Sequence, residues 1–307
     1  MRFFYLVFCV FSTLARSLPS FELDPILLNQ NLKKISQKPH PFGSPEQKNL
    51  AEWMSQQITK MGYKPQVQSF TQNIPELKKI YRGQNIMTLV SLNPHAKGIV
   101  ILASHYDTKA LPDYVGANDS ASSSAFLLTA LKNFQGIKDP HAKWDLLFVW
   151  FDGEEALLPE WYDFQKLGWK TQDNTYGSRF FVSQLKACNA FLCLPFSDQH
   201  PIHALFLSDM IGAPHARPII EGHSSRDLMH HVKEVSLKEG IPDFFSSIRL
   251  FIEDDHVPFL HKAIPSINLI DFTHLDHWHK KSDTLENLSQ DSIRRIGKII
   301  LKSAYTF

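Results

Sequence analysis

Two patterns of hydrophobic positions alternate along this chain. One is a short, unbroken apolar run of strand length, which indicates a strand that is covered on both faces. Such runs occupy residues 98–104, 145–151, 204–207 and 264–270. The other pattern is helical spacing of apolar residues, which covers residues 50–61, 120–134, 176–186, 228–240 and 289–305. This alternation predicts an α/β fold, a single domain with a central mixed, mostly parallel β-sheet flanked by helices.

The first 17 residues have the layout of a secretory signal peptide. Arg2 is followed by an apolar stretch over residues 3–11 and by small residues near Ser17. The apolar stretch is too short to span a bilayer, although an uncleaved membrane anchor is the alternative interpretation. We therefore predict a signal peptide over residues 1–17, a single domain over residues 18–307, and a secreted or periplasmic protein.

Composition excludes several classes of partner. The chain is 43% hydrophobic and 21% charged, with a net charge of +1, and it lacks the basic clusters of nucleic-acid or membrane-surface binders. We expect a monomer with no nucleic-acid partner and, after signal removal, no membrane span. Cys9 lies in the predicted signal, so Cys188 and Cys193 remain. They form either a disulfide across a short loop or two free thiols.

Acidic and imidazole side chains follow the apolar runs. The run at residues 145–151 ends in Asp-Gly-Glu-Glu, and chemistry in open α/β sheets sits at such carboxyl ends. Other groups placed after runs or in following loops are His105, Asp107, Asp119, Asp209, Asp254, His256 and His279. Clustered carboxylates raise one another's pKa unless a cation neutralises them. Carboxylate with imidazole suits zinc. The spacing leaves the ligands open, and it also leaves a solvated turn for residues 152–155 and helix capping for Asp119.

Six short blocks stand in a fixed order along the chain. They are residues 105–107 (HYD), 116–121 (GANDSA), 151–156 (FDGEEA), 209–214 (DMIGAP), 254–260 (DDHVPFL) and 278–279 (WH). In this order, over about residues 25–305, the chain resembles the glutaminyl-peptide cyclotransferases (glutaminyl cyclases) of the animal type, which have the fold of zinc aminopeptidases. A disulfide of that family's secreted animal members falls on Ser104 and Ser124 here, so the resemblance implies that this bond is absent.

The resemblance also implies roles for individual residues. It implies one catalytic zinc ion per chain, held by Asp119, Glu155 and His279. Glu154 then corresponds to the general acid and base, with Asp209 and Asp254 as hydrogen-bonded acids around it.

The expected substrate pocket has aromatic and imidazole walls. It contains Trp278, His105, His256 and one tryptophan of the aromatic-rich loop over residues 157–175. That tryptophan is Trp169 when counted back from residues 176–179, and Trp161 when counted forward from Glu155; we place Trp169 in the pocket. The loop is longer than in the family pattern.

The activity that the resemblance implies is cyclisation of N-terminal glutamine to pyroglutamate, with release of ammonia. Its partners are peptide or protein substrates with N-terminal glutamine, with N-terminal glutamate as a further candidate. The alternative is a dizinc aminopeptidase of the same fold, since a two-metal set is also present in His105, Asp119, Glu155, Asp209 and His279. Residues 254–260 and 278–279 favour the cyclase. A metal-free binding protein would need lost ligands, and none is lost.

Overall fold

The helices follow the apolar spacing of the sequence. The structure, a computed structural model, describes residues 19–188, 191–194 and 201–307, so the predicted signal peptide lies outside the described residues. The α-helices are α1 (Pro25–Ile35), α2 (Pro45–Lys60), α3 (Ser123–Ala130), α4 (Asp163–Lys166), α5 (Tyr176–Ser183), α6 (Arg226–Lys238), α7 (Val257–Leu260) and α8 (Gln290–Thr306). No helix in this part of the chain is both long and apolar enough to cross a lipid bilayer.

The strands include all four predicted apolar runs and several further segments. They are β1 (Gln66–Ile74), β2 (Lys79–Val90), β3 (Ile99–His105), β4 (Asp145–Phe151), β5 (Lys186–Cys188), β6 (Phe191–Cys193), β7 (Ile202–Asp209), β8 (Ile220–Glu221), β9 (Arg249–Leu250) and β10 (Ser266–Ile270). Every residue of β3 and of β4 is buried, as expected for strands without polar alternation.

A six-stranded sheet has the order β1-β2-β4-β3-β7-β10. The pairs β4·β3, β3·β7 and β7·β10 are parallel, whereas β1·β2 and β2·β4 are antiparallel. The prediction of a mixed, mostly parallel sheet is confirmed. Parallel strands deliver their carboxyl ends to one edge, and the register pairs His105 with Phe151 and Ile270 with Asp209. The loops after these strands therefore meet at that edge.

Helices cover both faces of the sheet. On one face, side chains of α1, α2, α3, α6 and α8 pack in a large core with Phe148 and Trp150 of β4. On the other face, Phe181 of α5 and Phe259 of α7 pack on Val149 and its neighbours. This three-layer arrangement is the predicted α/β architecture, and it buries the strands whose carboxyl ends meet at that edge.

Two pairs of residues tie local structure together. Cys188 and Cys193 form a disulfide that joins β5 to β6, which decides between the two alternatives left by the sequence. Ser104 and Ser124, at the expected site of a missing disulfide, have their hydroxyl oxygens 3.0 Å apart. The Ser124 hydroxyl donates to the carbonyl oxygen of His105 at 2.6 Å. Hydrogen bonds therefore connect the end of β3 to α3 at this position.

Candidate metal and catalytic site

The acidic corner after β4 is shaped by a glycine and by a buried carboxylate. Gly153 has φ of +69°, and a Cβ there would lie 2.9 Å from the Phe42 ring, so this turn requires glycine. The two oxygens of Asp107 accept from the backbone N–H groups of Glu154 at 3.0 Å and Glu155 at 3.2 Å. Asp107 thereby fixes the direction of both glutamates.

Asp119 lies in an interruption of helical geometry before α3. Its φ of −112° and ψ of 89° are non-helical. The N-cap positions here are Gly116 and Ser122, so the alternative in which Asp119 caps a helix is wrong. The Asp283 carboxylate accepts from the backbone N–H groups of Asn118 at 2.7 Å and Asp119 at 3.1 Å. Tyr114 places its hydroxyl 3.2 Å from the Asp119 carboxylate. The loop is thus held so that the Asp119 side chain faces the acidic corner.

His279 approaches this corner from the loop that precedes α8. Its φ is +53°, a left-handed conformation that costs a non-glycine residue about 1–3 kcal/mol and clusters at functional sites. The His279 Nε2 lies 3.1 Å from Glu155 Oε1 and 3.4 Å from Asp119 Oδ2. Trp278 stacks on its ring with centroids 4.1 Å apart. The three residues assigned to zinc by resemblance are therefore brought together.

His105, at the end of β3, joins the same cluster from beneath. Its Nε2 lies 3.2 Å from Asp119 Oδ1 and 3.3 Å from Asp209 Oδ1. Burial lowers the pKa of His105, but the charge of Glu154 and contacts with Asp107, Asp119 and Asp209 outweigh it and raise that pKa well above its ordinary value. Without another cation, protonated histidine balances the acids here.

Two donor sets can hold a metal ion, and they share Asp119. One is Asp119, Glu155 and His279; the other is His105, Asp119 and Asp209, and within each set the donor atoms lie within 4.8 Å of one another. The Glu155 Oε2 atom is buried without a hydrogen-bond partner, as expected of an oxygen placed for a cation. Carboxylate oxygens with imidazole nitrogen are a donor set that suits zinc, so the residues fit the predicted metal.

Glu154 and the neighbouring Asp254 both have a raised pKa. Burial, the main cause, together with the charges of Asp254 and Glu155, raises the pKa of Glu154 well above its ordinary value, although His105 opposes this. Burial and the charge of Asp209 raise the pKa of Asp254 to about 7. A carboxyl group whose pKa is raised in this way can carry a proton near neutral pH, which is what acid–base catalysis needs.

These groups open into a cavity of about 550 Å³, a size typical of small-molecule and peptide-end sites. Seven of the ten residues predicted for the site line it, six of which are Asp119, Glu154, Glu155, Asp209, Asp254 and His279. Trp278 lines it as well. His105 is buried and lies behind the acids rather than in the cavity wall, so its placement as a pocket wall is wrong.

The predicted pocket tryptophan also needs correction. Trp161 lines the cavity, whereas Trp169 packs against an aromatic cluster that includes Phe42 and Tyr176. Placing Trp169 in the pocket is therefore wrong. The loop over residues 157–175 contains a short helix, α4, between the two tryptophans, which the sequence did not reveal.

His256 is likewise not a pocket wall. It is fully buried, and its Nε2 lies 3.0 Å from Glu221 Oε2. The Glu221 carboxylate also accepts from the backbone N–H groups of His223, Ser224 and Ile252. His256 therefore supports the segment that carries Asp254 from inside the protein.

Replacing Glu221 with glutamine is expected to destabilise the protein in a pH-dependent way. Burial disfavours the charged form, but bonds from His256, His223 and Ile252 outweigh it and lower the pKa of Glu221 to about 2 from an ordinary 4.5. A lowered pKa contributes stability that is present above pH 4.5 and lost as the pH falls toward 2. The deficit of the variant should be on the order of 3 kcal/mol at pH 7 and less than half of that near pH 3.

Urea denaturation at both pH values measures this deficit. The exposed Glu52→Gln variant serves as the control and should change the free energy of unfolding by less than about 0.5 kcal/mol. An equal deficit for Glu221→Gln at pH 7 and pH 3 would show that the charge of Glu221 contributes nothing.

Two residues at the site were missed by sequence reasoning. Lys109 is buried, donates to the carbonyl oxygens of Ala156 and Leu158 at 2.8 and 3.0 Å, and lies 3.9 Å from Glu155 Oε2. Asp283 holds the Asp119 loop. The position of Lys109 just after Asp107 was the available signal, since a cluster of acids requires a nearby cation.

Comparison with known proteins identifies the family of this chain. Residues 85–304, most of the chain, match the sequence profile of Peptidase family M28. The chain belongs to this family. Glutaminyl-peptide cyclotransferase of Bos taurus is 30% identical over 249 residues, which cover 72% of this M28 chain and 66% of the bovine protein. The Drosophila melanogaster protein of the same name is 26% identical over 301 residues, which cover 90% of this chain and 79% of that one.

A solved structure agrees with the fold of this M28 protein. The crystal structure of Macrostomum lignano glutaminyl cyclase superposes with a TM-score of 0.74 at 24% identity, covering 92% of this chain and 88% of that one. The predicted fold class and the resemblance to glutaminyl-peptide cyclotransferases are confirmed. Three curated relatives, which are 28–30% identical, are longer proteins, and this chain spans 62–66% of their length.

Proposed function

We propose that this M28 protein cyclises the N-terminal glutamine of peptides and proteins to pyroglutamate and releases ammonia. The observation that carries the proposal is the position of Glu154, a buried carboxyl group with a raised pKa that lines the cavity beside Asp119, Glu155 and His279. Support also comes from relatives named glutaminyl-peptide cyclotransferase.

In the proposed reaction the α-amine of the substrate attacks the γ-amide carbon of the same residue. A new C–N bond closes the ring, and the C–N bond to the amide nitrogen breaks. Glu154 takes a proton from the attacking amine and gives it to the departing nitrogen, so that ammonia leaves. Because the nucleophile belongs to the substrate, the cavity need only hold the glutamine side chain curled, and Trp278 offers a flat wall for this.

We further propose that the metal is zinc, one per chain, held by Asp119, Glu155 and His279. When bound there, zinc would polarise the γ-carbonyl oxygen and stabilise the negative charge that develops on it. Asp209 and Asp254 line the same cavity as Glu154. Their carboxyl groups can hold a proton or a negative charge near that residue. Lys109 Nζ lies 3.9 Å from Glu155 Oε2 and places a positive charge beside that residue.

A second candidate function is an aminopeptidase that uses two metal ions. The observation that favours it is the second donor set of His105, Asp119 and Asp209. Paired metal ions that share a carboxylate activate water for hydrolysis in such enzymes. The chain retains every residue that this arrangement needs, so the two candidates differ in metal count and product.

The experiment that tests the proposal uses purified protein with its metal content quantified. A short peptide with N-terminal glutamine is incubated with it, and products are followed by mass spectrometry. Loss of one ammonia from the intact peptide, abolished by chelation and restored by zinc, is the expected result. Release of free N-terminal amino acids with two metals per chain would establish the aminopeptidase instead. Neither product, with no bound metal, would overturn both.

Alanine substitution of the two loop tryptophans should separate binding from stability. Trp161→Ala removes a cavity wall, so KM for a glutaminyl peptide is expected to rise roughly tenfold. Trp169→Ala removes a partner of the aromatic cluster around Phe42, so it should lower the free energy of unfolding by roughly 1–3 kcal/mol and leave KM unchanged. Steady-state kinetics and urea denaturation of both variants measure this, and a KM effect confined to Trp169→Ala would restore the original assignment.

A further inference from the structure

A second cavity, of about 650 Å³, is lined by residues of β1, β2 and α5 and by the beginning of α2. We call it the β1–β2 cavity. No described residue lines both this cavity and the one that contains Glu154. Its volume is typical of sites for small molecules, and neither the candidate metal site nor the proposed reaction uses it.

The charged residues that line the β1–β2 cavity are both cations, Lys48 and Arg82. No aspartate or glutamate is among the described residues of the lining. The Arg82 side chain is exposed and has no hydrogen bond or ion pair within the described part of the chain. Lys48 pairs with Glu52 at 3.9 Å, but both side chains are largely exposed, so this pair contributes little. Both cations are therefore available to a ligand.

Two acids near the β1–β2 cavity leave its positive charge in place. Glu46 belongs to the first turn of α2, but it is exposed and lies outside the lining. Asp152 is buried, and its Oδ2 accepts from Gln47 Nε2 at 2.5 Å and from the backbone N–H of Gln84 at 2.7 Å. Burial, together with the charge of Asp107, raises the pKa of Asp152 well above its ordinary value, which favours the neutral form. The cavity therefore presents a positive potential.

Buried hydrogen bonds hold the wall of the β1–β2 cavity in place. Gln47 and Gln84, which both line the cavity, are bonded to Asp152, and the Gln84 carbonyl oxygen accepts from the Tyr106 hydroxyl at 2.7 Å. The Ser44 hydroxyl oxygen accepts from the backbone N–H of Gln47 at 3.1 Å, which leaves its own O–H to donate. A wall that is formed before binding loses less conformational freedom when a ligand arrives.

The β1–β2 cavity also has aromatic and hydroxyl groups. Phe70 and Phe180 line it, and their rings stack with centroids 5.2 Å apart. Thr71, another lining residue, is the cross-strand partner of Arg82. Directly opposite side chains on antiparallel strands lie about 5 Å apart on one face, so a hydroxyl group lies beside the guanidinium. Cations, hydroxyl donors and aromatic rings together suit a ligand that is anionic at one end and apolar at the other.

We propose that the β1–β2 cavity binds a small ligand in which a phosphate or carboxylate group is joined to an aromatic or apolar part. Arg82 binds the oxyanion through paired hydrogen bonds of its guanidinium, and Lys48 binds it as a point charge. The rings of Phe70 and Phe180 contact the apolar part. This site is separate from the chemistry at Glu154, and it does not depend on the proposed function.

Ligand-observed NMR titration with phenyl phosphate, benzoate and benzyl alcohol tests the proposal. At least one of the two anions should bind about tenfold or more tightly than the neutral alcohol, and the tighter anion identifies the preferred oxyanion. The double variant Lys48→Gln and Arg82→Gln should bind that anion about tenfold or more weakly than the wild type. The control variant Lys60→Gln and Arg226→Gln removes the same charge from exposed positions outside the lining, and it should keep the wild-type affinity.

A further variant locates the bound probe without a change of charge. Ser69→Trp places a large ring at an exposed position of the lining, so it should prevent binding while Tm changes by less than about 3 °C. Equal affinities for the anions and for benzyl alcohol would overturn the proposal. Anion affinity that stays unchanged in both cavity variants would also overturn it, and loss of that affinity on chelation would place the probe at the candidate metal site instead.

Discussion

The Glu154→Gln variant is expected to cyclise N-terminal glutamine about 10³-fold more slowly than the wild type, with KM and metal content close to wild-type values. Glutamine has nearly the shape of glutamate and fits the same buried position, but it cannot take a proton from the amine or return one to the leaving nitrogen. The loss should therefore appear in kcat. Single-turnover mass spectrometry measures the rate of cyclisation, and metal analysis of the same sample measures the metal content.

The pH dependence of the wild type adds a check on this role. Burial and neighbouring acids raise the pKa of Glu154 well above the ordinary 4.5. Since the carboxylate form must accept the proton, cyclisation should rise with pH as Glu154 ionises, with the acid limb of the profile above pH 4.5. This limb should be absent from the residual activity of Glu154→Gln.

Two controls distinguish catalysis from damage to the structure. Thermal unfolding of Glu154→Gln should match or exceed that of the wild type, because a buried carboxyl group with a raised pKa gives no stabilisation from its charge. The Glu52→Gln variant changes an exposed glutamate on α2 and should keep full activity. Wild-type kcat in Glu154→Gln would show that another group transfers the proton.

The central strands were predictable because a strand that is buried on both faces has an unbroken run of apolar residues in the sequence. The predicted run over residues 145–151 coincides with β4, and the run over residues 98–104 differs from β3 by one residue at each end. By contrast, β1 and β2 were not predicted. In β1 exposed and buried positions alternate at the sheet edge, and polar residues such as Gln66 and Gln72 interrupt any apolar run.

The sequence predicted which residues belong to the site better than it predicted the contacts between them. Asp119, Glu154, Glu155 and His279 follow strand ends or occupy blocks in a known order, and the structure brings them together. The choice between Trp161 and Trp169 depends on how the loop over residues 157–175 folds, which no local pattern records. The support of the Asp119 loop by Asp283 joins residues more than 160 positions apart, and only the tertiary structure reveals it.

His279 and His105 form a matched pair for the metal assignment, because their Nε2 atoms face opposite oxygens of Asp119, at 3.4 and 3.2 Å. His279→Ala removes one of three proposed zinc ligands, so metal affinity should fall on the order of 100-fold or more, since even outer contacts are worth 10- to 100-fold. Its kcat/KM should fall at least about 10³-fold. His105→Gln should retain one metal ion per chain.

Metal analysis after dialysis, combined with assays for cyclisation and for peptide hydrolysis, determines whether Asp119 binds one metal ion or two. One metal per chain in the wild type and in His105→Gln, with cyclisation lost in His279→Ala, would support a single zinc at Asp119, Glu155 and His279. Two metals in the wild type and one in His105→Gln, with hydrolysis lost in that variant, would assign His105 and Asp209 to a second metal. In the first case zinc balances the charge of Asp119 and His105 remains a hydrogen-bond partner of Asp209; in the second, His105 and Asp209 would be metal ligands.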